Sequence, residues 1–238
     1  MSDLPAIVLV EDDDDLASLL GQYLGQHGFE VARERRGDDG ARRIVQSQPD
    51  LVVLDLFLPG QDGLDVCRTV RTRYSGPILM LTASKNDADH VAGLELGADD
   101  FVTKPVDPRV LLARVRSLLR RVGETRESEP ANGNDEDDGV VRVGALVVDT
   151  ALREVSYDAQ PVALTTMEYD VLHLLARESG RVVTREDLYE RVCGIAYDGL
   201  DRGMDVHVSR IRRKLVALGC DPKRLKSVRG AGYLLAFR

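Results

Sequence analysis

The sequence predicts two domains: an α/β doubly wound fold on a five-stranded parallel sheet, then an α+β winged helix-turn-helix. Three observations lead there. Short apolar runs without polar alternation recur through the first half, separated by helical patterns. A stretch with no large apolar residue, 123–138, interrupts the chain. Beyond it come short strands, three helices and a closing hairpin. A length of 238 residues also suits two domains better than one.

The first domain spans 1–122. Its runs Ile7–Val10, Leu51–Leu54, Ile78–Leu81 and Phe101–Val102, with a weaker one at Phe29–Ala32, are rich in Val, Ile and Leu. Strands buried on both faces read this way. Helices are expected over about 14–27, 38–47, 62–73, 86–96 and 107–121. Asp107 and Pro108 give the last of these a capping carboxylate and a first-turn proline. Leu111, Leu112, Val115, Leu118 and Leu119 form its apolar stripe. Five strands alternating with five helices make a parallel sheet covered on both faces.

Residues 123–138 carry seven acids and one Arg, the composition of an acidic flexible linker. In the second domain, 139–238, strands are expected at Val140–Val143 and Ala145–Asp149. A hairpin around Asp158–Gln160 would pair Glu154–Tyr157 with Val162–Leu164. The first helix starts at Thr165, where Thr165 and Glu168 form a capping box. The second starts at Thr184, with Asp187 in the reciprocal position. The third runs from about Arg202 to Leu218. Leu225–Val228, the turn Arg-Gly-Ala-Gly and Tyr233–Phe237 supply the wing.

Composition narrows the function classes. With 43% apolar and 30% charged residues, a wholly disordered chain is excluded. No apolar run approaches the roughly 18 residues of a membrane span. The N-terminus lacks the basic region and apolar core of a signal peptide, so neither membrane nor export is expected. Cys67, Cys193 and Cys220 are odd in number and widely spaced. They point away from a disulfide framework or zinc knuckle and toward the cytoplasm. The four histidines show no metal-ligand spacing, and no Gly-x-x-x-x-Gly-Lys-Ser/Thr loop occurs.

The net charge of −8 hides an asymmetry. Residues 1–122 hold 15 basic and 20 acidic groups, and residues 202–238 hold ten basic and two acidic. The basic block fits phosphate binding despite the acidic whole, because phosphate binding depends on where the cations lie.

In an open parallel sheet, sites form at the carboxyl ends of the strands. Glu11 and Asp12 follow the first run, Asp55 the third in chain order, Thr82 the fourth and Lys104 the fifth. Crowded carboxylates repel unless a hard dication relieves them, and Mg²⁺ takes oxygen ligands while keeping open positions. A carboxylate beside it can attack a phosphoryl group to form an aspartyl phosphate. Lys104 would neutralise the transferring group, and the Thr82 hydroxyl would bond a phosphate oxygen. Each residue alone also fits a structural role, such as helix capping by Asp12–Asp15. Five suitable groups at four strand ends point to a site.

Val-Glu-Asp-Asp at 10–13, Leu-Asp-Leu-Phe-Leu-Pro-Gly at 54–60, Leu-Thr-Ala at 81–83 and Gly-Ala-Asp-Asp-Phe-Val-Thr-Lys-Pro at 97–105 resemble a bacterial response-regulator receiver domain. Leu-Leu-Ala-Arg-Val-Arg at 111–116 fits the same pattern. Leu-Thr-Thr-Met-Glu-Tyr at 164–169, Asp-Val-His-Val-Ser-Arg-Ile-Arg-Arg-Lys-Leu at 205–215 and Val-Arg-Gly-Ala-Gly-Tyr at 228–233 resemble the OmpR/PhoB-type DNA-binding domain. The spacing around 193–205 is most similar to the RstA-like branch. The resemblance implies that Asp55 is the phosphoacceptor. It implies Mg²⁺ ligation by Glu11, Asp12, Asp55 and the Phe57 backbone carbonyl. Thr82 would be the switch hydroxyl, Lys104 the phosphate partner, and Lys104–Pro105 a cis bond. Phe101 stands where the family commonly has a switch Tyr, so it cannot donate a hydrogen bond.

The resemblance also implies a homodimer on activation, formed through the fourth helix, fifth strand and fifth helix. Asp99, Asp100, Arg114 and Arg116 fit that surface. Val110 replaces a usual Glu and His90 a usual base, which removes one intersubunit pair worth about 0–1 kcal/mol.

The third helix would be the recognition helix in the major groove of double-stranded promoter DNA. Arg210 is expected to contact bases, and Arg202, His207, Arg212 and Arg213 to meet phosphates. Arg229 would enter the minor groove with Ser227 beside it. Cys193 replaces a usual Trp and Ser209 a frequent Arg. The loop 194–200 resembles the segment that relatives use to touch RNA polymerase, and reads equally as a plain connection.

The leading expectation is therefore a transcription factor, not a dedicated enzyme, phosphorylated by a partner sensor histidine kinase. The receiver would assist its own phosphoryl transfer and slow dephosphorylation. A haloacid-dehalogenase-like phosphatase would need a second Asp where Phe57 stands. A constitutive DNA-binding protein would not need the complete set Glu11, Asp12, Asp55, Thr82 and Lys104.

Overall fold

The computed structural model describes residues 4–83, 87–123, 139–194 and 203–236. The chain divides into two compact units, Met1–Val122 and Gly123–Arg238.

In the first unit strands and helices alternate throughout. They are β1 (Ala6–Val10), α1 (Asp14–Gln26), β2 (Glu30–Glu34), α2 (Gly37–Ser47), β3 (Leu51–Asp55), α3 (Gly63–Val70), β4 (Ile78–Thr82), α4 (Asp87–Leu96), β5 (Asp100–Thr103) and α5 (Pro108–Gly123). The sheet is parallel throughout, in the order β2-β1-β3-β4-β5. The winding reverses between β1 and β3, so their carboxyl ends open a crevice.

β3 and β4 are buried along their whole length. Their unbroken apolar spelling is that of strands covered by helices on both faces. Leu54, Leu81 and Leu111 are fully buried, and each such side chain contributes about 1.5–3 kcal/mol. Asp13 caps α1 by accepting the N–H groups of Asp15 and Leu16, with Asp14 and Asp15 in its first turn. Gly63 opens α3 tight against β3. A Cβ there would stand 2.1 Å from the Asp55 carbonyl oxygen, so only glycine permits this return.

The second unit opens with β6 (Val140–Val143), β7 (Leu146–Asp149), β8 (Glu154–Tyr157) and β9 (Gln160–Pro161), an antiparallel sheet in that order. There follow α6 (Thr166–Arg177), β10 (Val182–Thr184), α7 (Arg185–Leu188) with a π-helical turn Tyr189–Cys193, α8 (Gly203–Ala217), β11 (Leu225–Val228) and β12 (Gly232–Leu235). Both expected capping boxes form, Thr165 with Glu168 and Thr184 with Asp187.

The structure departs from the sequence reading in two places. The hairpin returns early: Asp158 and Ala159 take φ of 49° and 61°, and Gln160 already pairs with Tyr157. Two residues in that conformation make the tight turn whose twist suits a hairpin, so Val162–Leu164 is not a strand. The wing also has a third strand. β10 pairs with β12, which places β12 in the middle of the sheet. Three residues carry no periodicity, so β10 shows itself only through this long-range pairing.

Candidate functional site

The crevice of the first unit collects the strand-end groups. Glu11 follows β1 and is 1% exposed, and Asp55 ends β3 and is 3% exposed. Asp12 is exposed. One carboxylate oxygen from each of the three lies within 4.8 Å of the others. Lys104, just past β5, reaches across the sheet edge. Its Nζ lies 2.8 Å from Glu11 Oε2 and 3.0 Å from Asp55 Oδ2. The Asp55 Oδ1 accepts the Leu56 N–H at 2.7 Å. The Glu11 Oε1 accepts the Asp13 N–H at 3.3 Å. Thr82 is buried at the end of β4, and its carbonyl accepts the Lys104 N–H at 2.7 Å. The Lys104–Pro105 bond is cis.

Burial pushes the Asp55 carboxyl above its usual range, although hydrogen bonding and charge from Lys104 oppose the rise. The Glu11 carboxyl is raised by burial, against the Lys104 hydrogen bond, with the Asp55 charge adding to the rise. Burial works against the Lys104 ammonium, but its hydrogen bonds to Glu11 and Asp55 outweigh that and raise it. One cation thus serves two buried carboxylates, and the third stands at the mouth. An oxygen-only donor set this close and this short of cations fits a hard dication.

Phe57 is 61% exposed, two residues beyond Asp55. Phe101 is half-buried and borders a small cavity that it shares with Leu56, Met80, Thr82 and Leu94.

At the surface of α5, Val110 is 47% exposed and Arg116 is exposed. Arg114 Nη1 pairs with Asp100 Oδ2 of the same chain at 2.8 Å. Asp99 is a correction. It is 2% exposed, its Oδ2 accepts the Ile78 N–H at 2.8 Å, and Arg71 Nη2 lies 2.5 Å away. Arg71 also donates to the carbonyls of Gly97, Tyr74 and Gly76. Asp99 is therefore a buried tie and not part of a surface. The side chain of His90 lies outside the described residues.

In the second unit α8 carries the basic block, and here two expectations are corrected. His207 is 1% exposed and Arg210 is 8% exposed. Arg210 Nε lies 2.9 Å from Glu168 Oε1, and Lys214 Nζ lies 2.6 Å from Glu168 Oε2. Glu168 is fully buried at the start of α6. Spacing alone did not distinguish a face turned to solvent from one turned to a buried acid. The visible signal was Glu168 itself, read only as a cap. Arg212 donates to the Leu225 carbonyl at 2.9 Å and to Ser227 Oγ at 3.1 Å, tying α8 to β11. Arg213, Ser227 and Arg229 are exposed, and Cys193 is buried. Arg202 and the loop 195–202 lie outside the described residues.

Asp205 was not singled out in the sequence. Its Oδ1 accepts from the Tyr233 hydroxyl, and Arg185 Nη2 lies 2.7 Å away. This joins the start of α8 to β12 and α7. Among the described residues, no helix is long and apolar enough to cross a membrane.

The comparisons agree with both halves. Residues 7–116 match the response regulator receiver domain, and residues 159–235 match the C-terminal domain of transcriptional regulatory proteins. The chain is 39% identical to the transcriptional regulatory protein RstA of Escherichia coli over 234 residues, 97% of each chain. It is 41% identical to the sensory transduction protein RegX3 of Mycolicibacterium smegmatis over 232 residues, 98% of this chain and 99% of that one. The structure of the response regulator DrrB, an OmpR/PhoB homologue from Thermotoga maritima, covers 98% of this chain and 100% of its own, at 31% identity and a TM-score of 0.50. The acidic crevice, the winged helix and these full-length relatives make the chain a member of the OmpR/PhoB family of two-component response regulators, a transcription regulator controlled by phosphorylation.

Proposed function

We propose that Asp55 is the phosphoacceptor of this regulator and that the group is donated by a sensor histidine kinase. The observation that carries this is Lys104, whose ammonium bridges Asp55 and Glu11 at the ends of separate strands. An Asp55 carboxylate oxygen attacks phosphorus, the bond from phosphorus to the donor nitrogen breaks, and an acyl phosphate forms. Lys104 then balances the charge gathered on the phosphoryl oxygens. Glu11, Asp12 and Asp55, with the Phe57 carbonyl, would hold Mg²⁺, which supplies further charge neutralisation when bound. The same groups serve slow loss of the phosphate to water, so the receiver assists its own chemistry without being a dedicated enzyme.

Thr82 would meet the phosphoryl group, and Phe101, which borders the same small cavity as Thr82, would turn inward with it. Such a shift biases an existing equilibrium between two states of the α4-β5-α5 surface. Asp100, Val110, Arg114 and Arg116 supply a homodimer interface there, and paired half-sites on promoter DNA then gain avidity. The wing residues Ser227 and Arg229 approach the DNA backbone and minor groove, and RNA polymerase is a further partner. The acidic segment 123–138 acts as the linker between domains, and the protein works in the cytoplasm.

The test is treatment of the purified chain with acetyl phosphate and Mg²⁺, beside an Asp55→Asn variant, recording intact mass and solution mass together. One phosphoryl adduct absent from the variant, with a shift toward dimer, is expected. No adduct, while a known receiver is labelled under the same conditions, sinks the assignment of Asp55.

A further inference from the structure

Helix α2 starts on an arginine that does not cap it. Arg36 holds the N-cap position with extended backbone and gives no side-chain hydrogen bond to the helix. Ser, Thr, Asp or Asn would satisfy an open N–H there, so α2 forgoes the stability a capping residue supplies. The guanidinium turns to Asp38 instead, with Nε 3.0 Å from Oδ1 and Nη2 3.2 Å from Oδ2. Asp39 Oδ2 lies 3.8 Å from Arg36 Nε, and Arg42 pairs with that same carboxylate. Both members of the Arg36–Asp38 pair are half-exposed, and exposed pairs add little stability. Stability therefore does not account for an arginine at this position.

What the pair does touch is the loop that leaves the Asp55 strand. Gly60 takes φ of 85°, and a Cβ on it would stand 2.6 Å from Arg36 Nη2 and 2.7 Å from Asp38 Oδ1. The turn is thus seated directly on the ion pair. Beside it, the Gly37 N–H donates to the Pro59 carbonyl at 3.1 Å, and a Cβ on Gly37 would overlap the Gln61 carbonyl. At the base of the loop, the Gly63 N–H donates to the Leu56 carbonyl at 2.8 Å. Residues 57–62 are closed at their base between β3 and α3 and gripped at their apex by residues 36–38. Phe57 lies between these two anchors. Its side chain is 61% exposed, so its backbone is held by the anchors more than by packing of its own.

We propose that Arg36 and Asp38 are positioning residues for the phosphorylation site, whose ion pair fixes the 57–62 loop and with it the Phe57 carbonyl. This rests on the reading of that carbonyl as a ligand for a divalent cation beside Glu11, Asp12 and Asp55. Groups that orient a ligand govern metal affinity without touching the metal.

The test titrates the purified full chain with Mn²⁺ at one pH and one salt concentration. Mn²⁺ is a paramagnetic stand-in for Mg²⁺, and its free ion is read from its resonance signal. Wild type is compared with Arg36→Asn, Asp38→Ala, the double variant and Asp12→Asn, each checked by thermal melting. Arg36→Asn puts a capping residue at the start of α2, so it should melt no lower than wild type. It should nevertheless bind Mn²⁺ about tenfold more weakly, the lower end for loss of an orienting group. Asp38→Ala should weaken binding similarly, and the double variant no further than either, because both substitutions break one interaction. Charge alone predicts a different pattern. Removing Arg36 would tighten a dication, removing Asp38 would loosen it, and the double variant would cancel the two. That pattern overturns the proposal. So does wild-type affinity in Arg36→Asn, Asp38→Ala and the double variant alike, or weaker binding only where the melting temperature falls with it. If wild type binds no Mn²⁺, or Asp12→Asn binds it as tightly as wild type, the metal reading itself fails and takes the proposal with it.

Discussion

Lys104 Nζ stands 3.0 Å from Asp55 Oδ2, and the same ammonium lies 2.8 Å from Glu11 Oε2. The two carboxylates belong to different strands, so this cation holds the site's charge together across the sheet edge. Lys104→Met should slow labelling of Asp55 by acetyl phosphate about 100-fold, the scale for losing one stabiliser of developing charge. Intact mass against time checks this. Labelling at the wild-type rate would remove Lys104 from the chemistry.

The raised carboxyls set the pH response. The native pKa values of Asp55 and Glu11 stand above the model-peptide values of 3.8 and 4.5, so the native state holds protons that the unfolded chain has released. Stability from these groups is greatest at low pH and falls as pH rises through the raised values. Mg²⁺ held by these carboxylates would favour their charged forms, so its stabilising effect should grow across that window. At about 100 times its Kd it adds about 2.7 kcal/mol. Thermal melts at pH 5 and pH 7, with and without Mg²⁺, test this. Asp55→Asn should melt higher than wild type without metal at pH 7 and respond less to Mg²⁺.

Much of this site was legible. Four strands of the first unit, β1, β3, β4 and β5, end in or just before a chemically distinctive residue, and the apolar runs before these residues have no polar alternation to blur the endpoint. Asp99 and Asp100 were not separable, because successive residues where the chain enters a short strand point to opposite sides and nothing local says which is covered. Arg71, 28 positions away, decides it. His207 and Arg210 were misplaced for the same reason, since Glu168 on another helix determines which side of α8 is inside. β10 escaped because its pairing partner follows some 50 residues later.

The Arg71–Asp99 tie yields a stability prediction. Asp99→Ala leaves a guanidinium with only 10% side-chain exposure short of its acid. Breaking a buried pair this way costs about 3–5 kcal/mol. Urea denaturation of the full chain should show the receiver transition moving to lower denaturant. An unchanged midpoint would mean that Asp99 is not the buried tie described.

The turn between β8 and β9 predicts the opposite sign. Ala159 is held at φ of 61°, a region that disfavours a Cβ. Ala159→Gly should stabilise the second unit by about 1 kcal/mol. A lower melting temperature would show that the lost backbone order outweighs the relieved strain.

Control of DNA binding by Asp55 is tested by one pair of isotherms. Binding to a duplex selected by the protein itself is measured at fixed salt before and after acetyl phosphate treatment, for wild type and Asp55→Asn. Phosphorylation should tighten wild-type binding by at least about tenfold through paired half-sites and leave the variant unchanged. Equal affinities for treated and untreated wild type, with the adduct verified by mass, would contradict a phosphorylation switch acting through this receiver.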